Sequence, residues 1–166
     1  MNLLHHDVVF GLGSNLGGRL YNLREATERL FFSGFIIEKK SSVFETEPWG
    51  VKEQPSFLNA CVKARIENKY SPREILEIIK KIESDMGRVE NFRYGPRIID
   101  IDLLLMDSII YEDELLSIPH KEVYNRAFVL YPLVEISPDW AHPITGERVN
   151  DAVLRYANPP IRITKL

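Results

Sequence analysis

The chain has 166 residues, is 45% hydrophobic and 27% charged, and carries a formal net charge of −3. That length suits one domain, residues 1–166, with a sizeable buried core, and the acidic balance argues against a broad nucleic-acid footprint. Cys61 is the only cysteine, excluding an intrachain disulfide, and no apolar run approaches the ~18 residues of a membrane span. With no secretory pattern at the start, the expectation is a cytoplasmic protein without nucleic-acid or membrane partners; a monomer is assumed, since oligomeric state is not legible.

In chain order, Asp7 to Asn15 reads as a short buried strand ending in glycines. The stretch "GLGSNLGG" resembles a dinucleotide loop, but Leu16 occupies the third glycine position and no Gly-Lys-Ser/Thr follows. A tight turn is expected there, with Ser14 or Asn15 capping a helix whose Leu23, Ala26 and Leu30 face inward. "FIIEKKSSVFETE" reads as one strand and "PSFLNACVKARIE" as another, where Phe57, Asn59 and Cys61 alternate with Leu58, Ala60 and Val62. Between them "TEPWGVKEQP" is loop, with Trp49 expected to be exposed.

The clearest helix opens with Ser71 as N-cap, Pro72 at the first position and Glu74 completing a capping box. Ile75, Ile78, Ile79, Ile82 and Met86 form its buried stripe, and Gly87 ends it. A polar, arginine-rich loop runs to Arg97, and a strand is expected from Ile98 to Leu105. "AFVLYPLVEIS" suits a buried helix that Pro132 must start or kink. The tail from about residue 158 reads as extended surface chain. Mixed helices and neighbouring strands favour α+β with an antiparallel sheet.

The strand within "GPRIIDIDLLLMD" poses the central question. One face carries Ile99, Ile101, Leu103 and Leu105; the other carries Ile98, Asp100, Asp102 and Leu104. Residues two apart share a face, so the acids lie about 6.6 Å apart along the strand and repel each other. A divalent cation removes that cost, and Mg²⁺ takes one or two carboxylates plus substrate phosphates. Two metals ~3.5–4 Å apart could share the pair and clamp a phosphoryl group. The bland alternative is a half-exposed strand with solvated aspartates. Arg88, Arg93 and Arg97 upstream, with His120 and Arg126 downstream, favour magnesium plus polyphosphate.

"GLGSNLGGR", "FETEPWG", "QPSFLNACV", "IESDMGR", "RYGPRIIDIDLLL" and "IPHKEVYNRAFVLYPLVEI" together resemble the 6-hydroxymethyl-7,8-dihydropterin pyrophosphokinases of folate biosynthesis, in the family's order and over most of the chain. The resemblance implies a ferredoxin-like α+β fold and transfer of the β,γ-diphosphoryl unit of ATP to a dihydropterin hydroxymethyl group, releasing AMP. It makes Asp100 and Asp102 ligands of two Mg²⁺ ions. It assigns Arg97, Arg126 and His120 to the nucleotide phosphates, and Lys80, Glu83 and Leu103 to ATP binding. Arg88 falls in a catalytic loop with Arg97, for which Gly87 and Gly95 could serve as hinges. Phe57 and Phe128 would sandwich the pterin, Asn59 would bond its polar edge, and Thr46 and Tyr94 would complete the pocket.

The chain departs from the family pattern in places. Tyr94 stands where tryptophan is frequent, Phe57 replaces a common tyrosine, Glu90 replaces a frequent arginine, and Glu47 and Trp49 fill sites often held by smaller residues or proline. These bear on ATP affinity and loop detail. A different two-metal nucleotidyl or glycosyl transferase predicts no pterin pocket. An RNA-binding module of similar fold would need basic, aromatic-rich strands that the sequence lacks. The intact acids and arginines argue against a scaffold with a dead site.

Overall fold

The computed structural model describes residues 4–48 and 53–166, which leaves the expectation for Trp49 outside the described residues. The elements are β1 (His5–Ser14), α1 (Arg19–Phe32), β2 (Ile36–Lys40), β3 (Phe44–Thr46), β4 (Phe57–Glu67), α2 (Pro72–Asp85), β5 (Asp100–Met106), β6 (Tyr111–Glu112), β7 (Ser117–Ile118), α3 (Ala127–Ile136), α4 (Val149–Ala152), a 3-10 turn (Val153–Tyr156) and β8 (Ile163–Lys165). Among the described residues, the main sheet runs β5-β1-β4-β3-β8, with β2 also paired to β4. Every pairing in it is antiparallel. This is the expected α+β, ferredoxin-like arrangement. No helix among the described residues is long and apolar enough to cross a membrane.

Local chemistry explains most element ends. Ser71 Oγ accepts the Glu74 N–H at 3.2 Å and Glu74 Oε1 accepts the Ser71 N–H at 3.4 Å, so α2 opens with the expected capping box. It closes at Met86, after which Gly87 takes φ +90°, a left-handed value that favours glycine. The predicted strand over residues 35–47 divides at Ser41. Its Oγ accepts the Cys61 N–H at 2.8 Å, and its N–H donates to the Cys61 carbonyl at 2.9 Å, so a side chain replaces one rung of the ladder. Helix α1 starts at Arg19 behind Gly18 with no side-chain cap. Ser14 and Asn15 therefore do not cap it: Ser14 ends β1, and Asn15 is engaged elsewhere. The glycines of "GLG" lie within β1 rather than in a turn.

One further expectation needs correction, and a second, on Pro132, is narrowed. Strand β5 contains a bulge, because Val9 pairs with Leu105 while Phe10 pairs with Leu103. Leu104 is the extra residue, and alternation resets after it. Leu105 thus joins Leu104 on the opposite face from Leu103. Pro132 lies inside α3 rather than at its start; its missing N–H releases the carbonyl of Phe128 four residues back. Within the tail, Ile163–Lys165 pair with β3 as strand β8.

The sheet separates two cores. Val8, Phe10, Leu12, Leu58, Val62, Ile101 and Leu103 pack against α1 and α2. On the other face Val9, Cys61, Leu104 and Leu105 pack against α3 and α4 residues such as Leu130, Leu133 and Val149. Helix α3 covers only part of that second face, and the uncovered part is where the site forms.

Candidate active site

Beyond the edge of α3 the sheet floors a cavity of about 320 Å³. Register fixes what lies on the floor. Gly13 pairs with Asp100 on one side and Asn59 on the other, and Gly11 pairs with Asp102 and Cys61. The central strand therefore contributes bare backbone between the acids of β5 and the polar and aromatic positions of β4. A Cβ at Gly13 would stand 3.2 Å from Asn59 Oδ1 and 3.7 Å from Phe57 Cδ1, and one at Gly11 would stand 3.3 Å from Leu104 Cδ1. These glycines provide clearance, a reason for them that the loop motifs did not suggest.

Asp100 and Asp102 both line this cavity, as strand alternation requires. Asp102 keeps part of its surface open to the cavity while protein surrounds its other sides. Burial pushes its carboxyl well above the usual range, and the negative charges of Asp100 and Glu83 add to the effect. Asp100 is held by cations: Arg88 Nη1 donates to its Oδ1 at 2.9 Å, and Arg97 Nη1 lies 3.6 Å from its Oδ2. Burial disfavours the Arg88 charge, but Asp100 and Glu83 outweigh it and hold the guanidinium above its ordinary value.

Glu83 is 3% exposed and works from the free edge of β5. Its Oε2 accepts Arg88 Nη1 at 2.7 Å and the Ile101 N–H at 2.9 Å, and its Oε1 accepts Lys80 Nζ at 3.1 Å. It satisfies an edge-strand donor while fixing an arginine.

Among the described residues no group of three or more His, Cys, Asp and Glu is arranged to hold a metal. Two repelling carboxylates with an open side nonetheless fit Mg²⁺, whose remaining ligands are commonly water and substrate phosphate. The residues that would hold it are Asp100 and Asp102.

The cavity rim pairs cations with rings. Arg97 Cζ stands 5.6 Å from the Phe57 ring centroid, Arg126 Cζ 5.7 Å from that of Phe128, and Arg93 Cζ 4.8 Å from that of Tyr94. Asn59 Nδ2 donates to Thr46 Oγ1 at 2.7 Å, which leaves Asn59 Oδ1 beside Gly13. Thr46 itself is 2% exposed and orients that amide. His120 Nδ1 accepts the Glu122 N–H at 3.1 Å. Burial lowers the imidazole's pKa, and the Arg126 charge lowers it further, outweighing Asp100 and Glu122. The ring is therefore neutral at pH 7, with its proton on Nε2.

The cavity brings together Thr46, Phe57, Asn59, Tyr94, Arg97, Asp100, Asp102, His120, Arg126 and Phe128. Arg88 reaches it through Asp100. Lys80 and Glu83 do not line it and act from behind the strand. Leu103, predicted at the nucleotide, has its side chain in the α1/α2 core, because alternation turns it away from the acids. Glu90 is exposed on the arginine-rich loop and Glu47 lines the cavity. Gly95 has no left-handed φ, but a Cβ there would stand 2.6 Å from Asn91 Oδ1 and 2.8 Å from the Phe92 carbonyl, so close packing requires glycine at this point of the loop. Sequence reasoning missed Gly11, Gly13 and Leu104, for which a predicted register would have been the signal. It also missed Asn15, for which there was none.

The sequence profile described as 7,8-dihydro-6-hydroxymethylpterin-pyrophosphokinase matches residues 9–138. A 2-amino-4-hydroxy-6-hydroxymethyldihydropteridine pyrophosphokinase of Aquifex aeolicus is 44% identical over 138 residues, covering 82% of this chain and 84% of that protein. The mitochondrial folate synthesis bifunctional protein of Pisum sativum is 42% identical over 130 residues, covering 78% of this chain. The chain spans about a quarter of that plant protein's length, 25%. The crystallised Plasmodium falciparum HPPK-DHPS with pteroate superposes with a TM-score of 0.73 at 17% identity, over 92% of this chain and 42% of that one, a likeness of fold. On the profile match and the Aquifex relative, this chain belongs to the 7,8-dihydro-6-hydroxymethylpterin-pyrophosphokinase family.

Proposed function

We propose that the chain transfers diphosphate from ATP to the hydroxymethyl group of 6-hydroxymethyl-7,8-dihydropterin, giving the pterin diphosphate and AMP, with two magnesium ions held at Asp100 and Asp102. The observation that carries this reading is the pair of acids sharing one cavity wall with guanidinium groups and aromatic rings on its rim.

Phosphoryl transfer is mostly positioning and electrostatics. Arg97 and Arg126 supply planar donor forks for phosphate oxygens. Each also lies near an aromatic ring, so the charged and flat parts of the substrates would meet at adjacent places. Phe57 and Phe128 offer faces for a heterocycle, and Asn59, oriented by Thr46, offers an amide edge. Neutral His120 is suited to donate from Nε2 to a phosphate oxygen rather than to act as a base at Nδ1, which is occupied. An aspartate of the pair is the group available to accept the hydroxyl proton. Magnesium, when bound, supplies the positive charge that draws a triphosphate to two carboxylates and polarises its oxygens.

Arg88 Nη1 bridges Asp100 and Glu83. With phosphate bound, Arg88 would exchange Asp100 for phosphate oxygens while keeping its bond to Glu83. The test is product analysis by anion-exchange chromatography after incubation with ATP, Mg²⁺ and the pterin. AMP and the pterin diphosphate in equal amounts are expected, with turnover lost on chelation. ADP, or inorganic pyrophosphate with an adenylated product, would replace this reading by an ordinary kinase or a nucleotidyl transferase.

A further inference from the structure

Just past the last residue of β1 lies a buried amide that the proposed chemistry does not use. Asn15 is 1% exposed and does not line the cavity. Its Nδ2 donates to Gln54 Oε1 at 2.8 Å and to the Pro55 carbonyl at 3.0 Å. Its Oδ1 accepts the Arg97 N–H at 2.8 Å, and its own N–H donates to the Arg97 carbonyl at 3.1 Å. Gln54 Nε2 continues the chain of bonds to the Tyr94 carbonyl at 2.7 Å. Both donors of one amide thus serve the segment leading into β4, while its acceptor serves the segment leading into β5.

Each segment carries half of the site. Pro55 leads directly to Phe57 and Asn59; Tyr94 and Arg97 lead directly to Asp100 and Asp102. Tyr94 also holds φ +61°, a conformation unfavourable for a bulky side chain that persists only where its surroundings impose it. The Gln54 bond to the Tyr94 carbonyl is one such constraint. A buried amide whose partners lie on two loops cannot let one loop shift without losing bonds to the other.

We propose that Asn15 and Gln54 form a positioning pair that couples the ring-binding wall of the cavity to its phosphate-binding wall, so that a ligand ordering one wall favours the ligand of the other. This rests on the reading of the cavity as a nucleotide and pterin site. Neither residue touches the reacting atoms. Coupling of this kind commonly amounts to about 5- to 150-fold in affinity and is reciprocal between the two ligands.

The experiment is titration of the pterin by fluorescence, alone and with a non-hydrolysable ATP analogue plus Mg²⁺, in the wild type and in Asn15→Ala, Asn15→Asp and Gln54→Ala. In the wild type the nucleotide should tighten pterin binding. In Gln54→Ala and Asn15→Ala that tightening should fall about tenfold, toward none, while pterin affinity without nucleotide changes little. Asn15→Asp keeps the acceptor for Arg97 but loses both donors, so it should lie between. Gln54 is only half-buried, so Gln54→Ala carries the test if Asn15→Ala fails to fold. Variants that bind both ligands with the wild-type coupling overturn the inference, and so does a wild type that binds both without coupling. A wild type that binds neither ligand overturns the functional reading itself.

Discussion

Alternate residues of the same strands build two unlike surfaces. Toward α1 and α2, Val8, Phe10, Leu12, Leu58, Ala60, Val62 and Ala64 are all at most 8% exposed and form one continuous apolar layer. The opposite face starts in the same way, with Val9, Cys61 and Leu105 under α3. Past Gly11 it becomes carboxylates, an amide, rings and guanidinium groups. Stability and chemistry therefore share backbone but draw on different side chains, and damage to one face should spare the other.

The largest expected effect falls on the cavity face. Asp102→Asn should lower turnover by about 10³-fold or more, the scale seen when a positioned electrostatic group is lost. It should not lower Tm, because it removes a buried like charge. Steady-state AMP release and calorimetry on one preparation check both halves. Retained turnover would show that the acid pair is not the centre of the site. The mirror-image experiment is Ile79→Ala on the fully buried stripe of α2. It should cost about 2–5 kcal/mol in urea unfolding and leave pterin affinity of the folded protein unchanged.

The two faces also predict a pH signature. Asp102 has a raised pKa, caused first by burial and then by Asp100 and Glu83. As pH rises from about 4, the unfolded chain loses this proton before the native chain does. The native state then holds the extra proton, so its stability declines with increasing pH up to Asp102's own pKa. Asp113, on the far hairpin, acts in the opposite sense. Hydrogen bonds from Tyr111 and then Arg73 and Leu115 hold its pKa far below normal, so its contribution is present above pH ~4 and lost as pH falls. From pH 5 upward His120 and His142, whose pKa values burial lowers, add stability as pH rises. The Asp102 share of the Tm profile is therefore the difference between wild type and Asp102→Asn: a decline that should flatten with added Mg²⁺. Identical profiles for the two proteins would assign the slope elsewhere.

The apolar face was the more legible in sequence, because periodicity reports what must be buried. Ile75, Ile79 and Ile82, and the alternation along β4, follow from spacing alone. The capping box at Ser71 was readable because its partners are three residues apart. The two acids were readable as a pair on one face, and the rim residues through resemblance of separated motifs. What stayed hidden depends on contacts distant in sequence. The bulge at Leu104 arises only when β5 meets β1, and the split at Ser41 only when that hydroxyl meets Cys61. Asn15 passed for a helix cap because its partners lie 39 to 82 residues away. Glu83 carried i,i+3 spacing to Lys80, which describes its weaker engagement; Arg88 and the Ile101 amide were not visible from that spacing.

The smallest effect, and the finest test of the boundary between the faces, comes from Gly13→Ala. At this point β1 separates Asp100 from Asn59, and register alone keeps a side chain out of the gap. An added Cβ would press on Asn59 Oδ1 at 3.2 Å, tighter than ordinary contact, while Phe57 at 3.7 Å would be undisturbed. Asn59 is tied to Thr46 and cannot turn away without breaking that bond. The pterin edge should therefore lose affinity by about tenfold, equivalent to ~1.4 kcal/mol. Binding of the ATP analogue, which the proposed site assigns to Arg97 and Arg126, should change little. Strand conformation is compatible with alanine here, since Gly13 has no positive φ, so Tm should stay near the wild-type value. Equal losses for both ligands would mean that the substitution displaces β5 as well, and that the bare backbone of β1 supports the acids rather than clearing space for the ring.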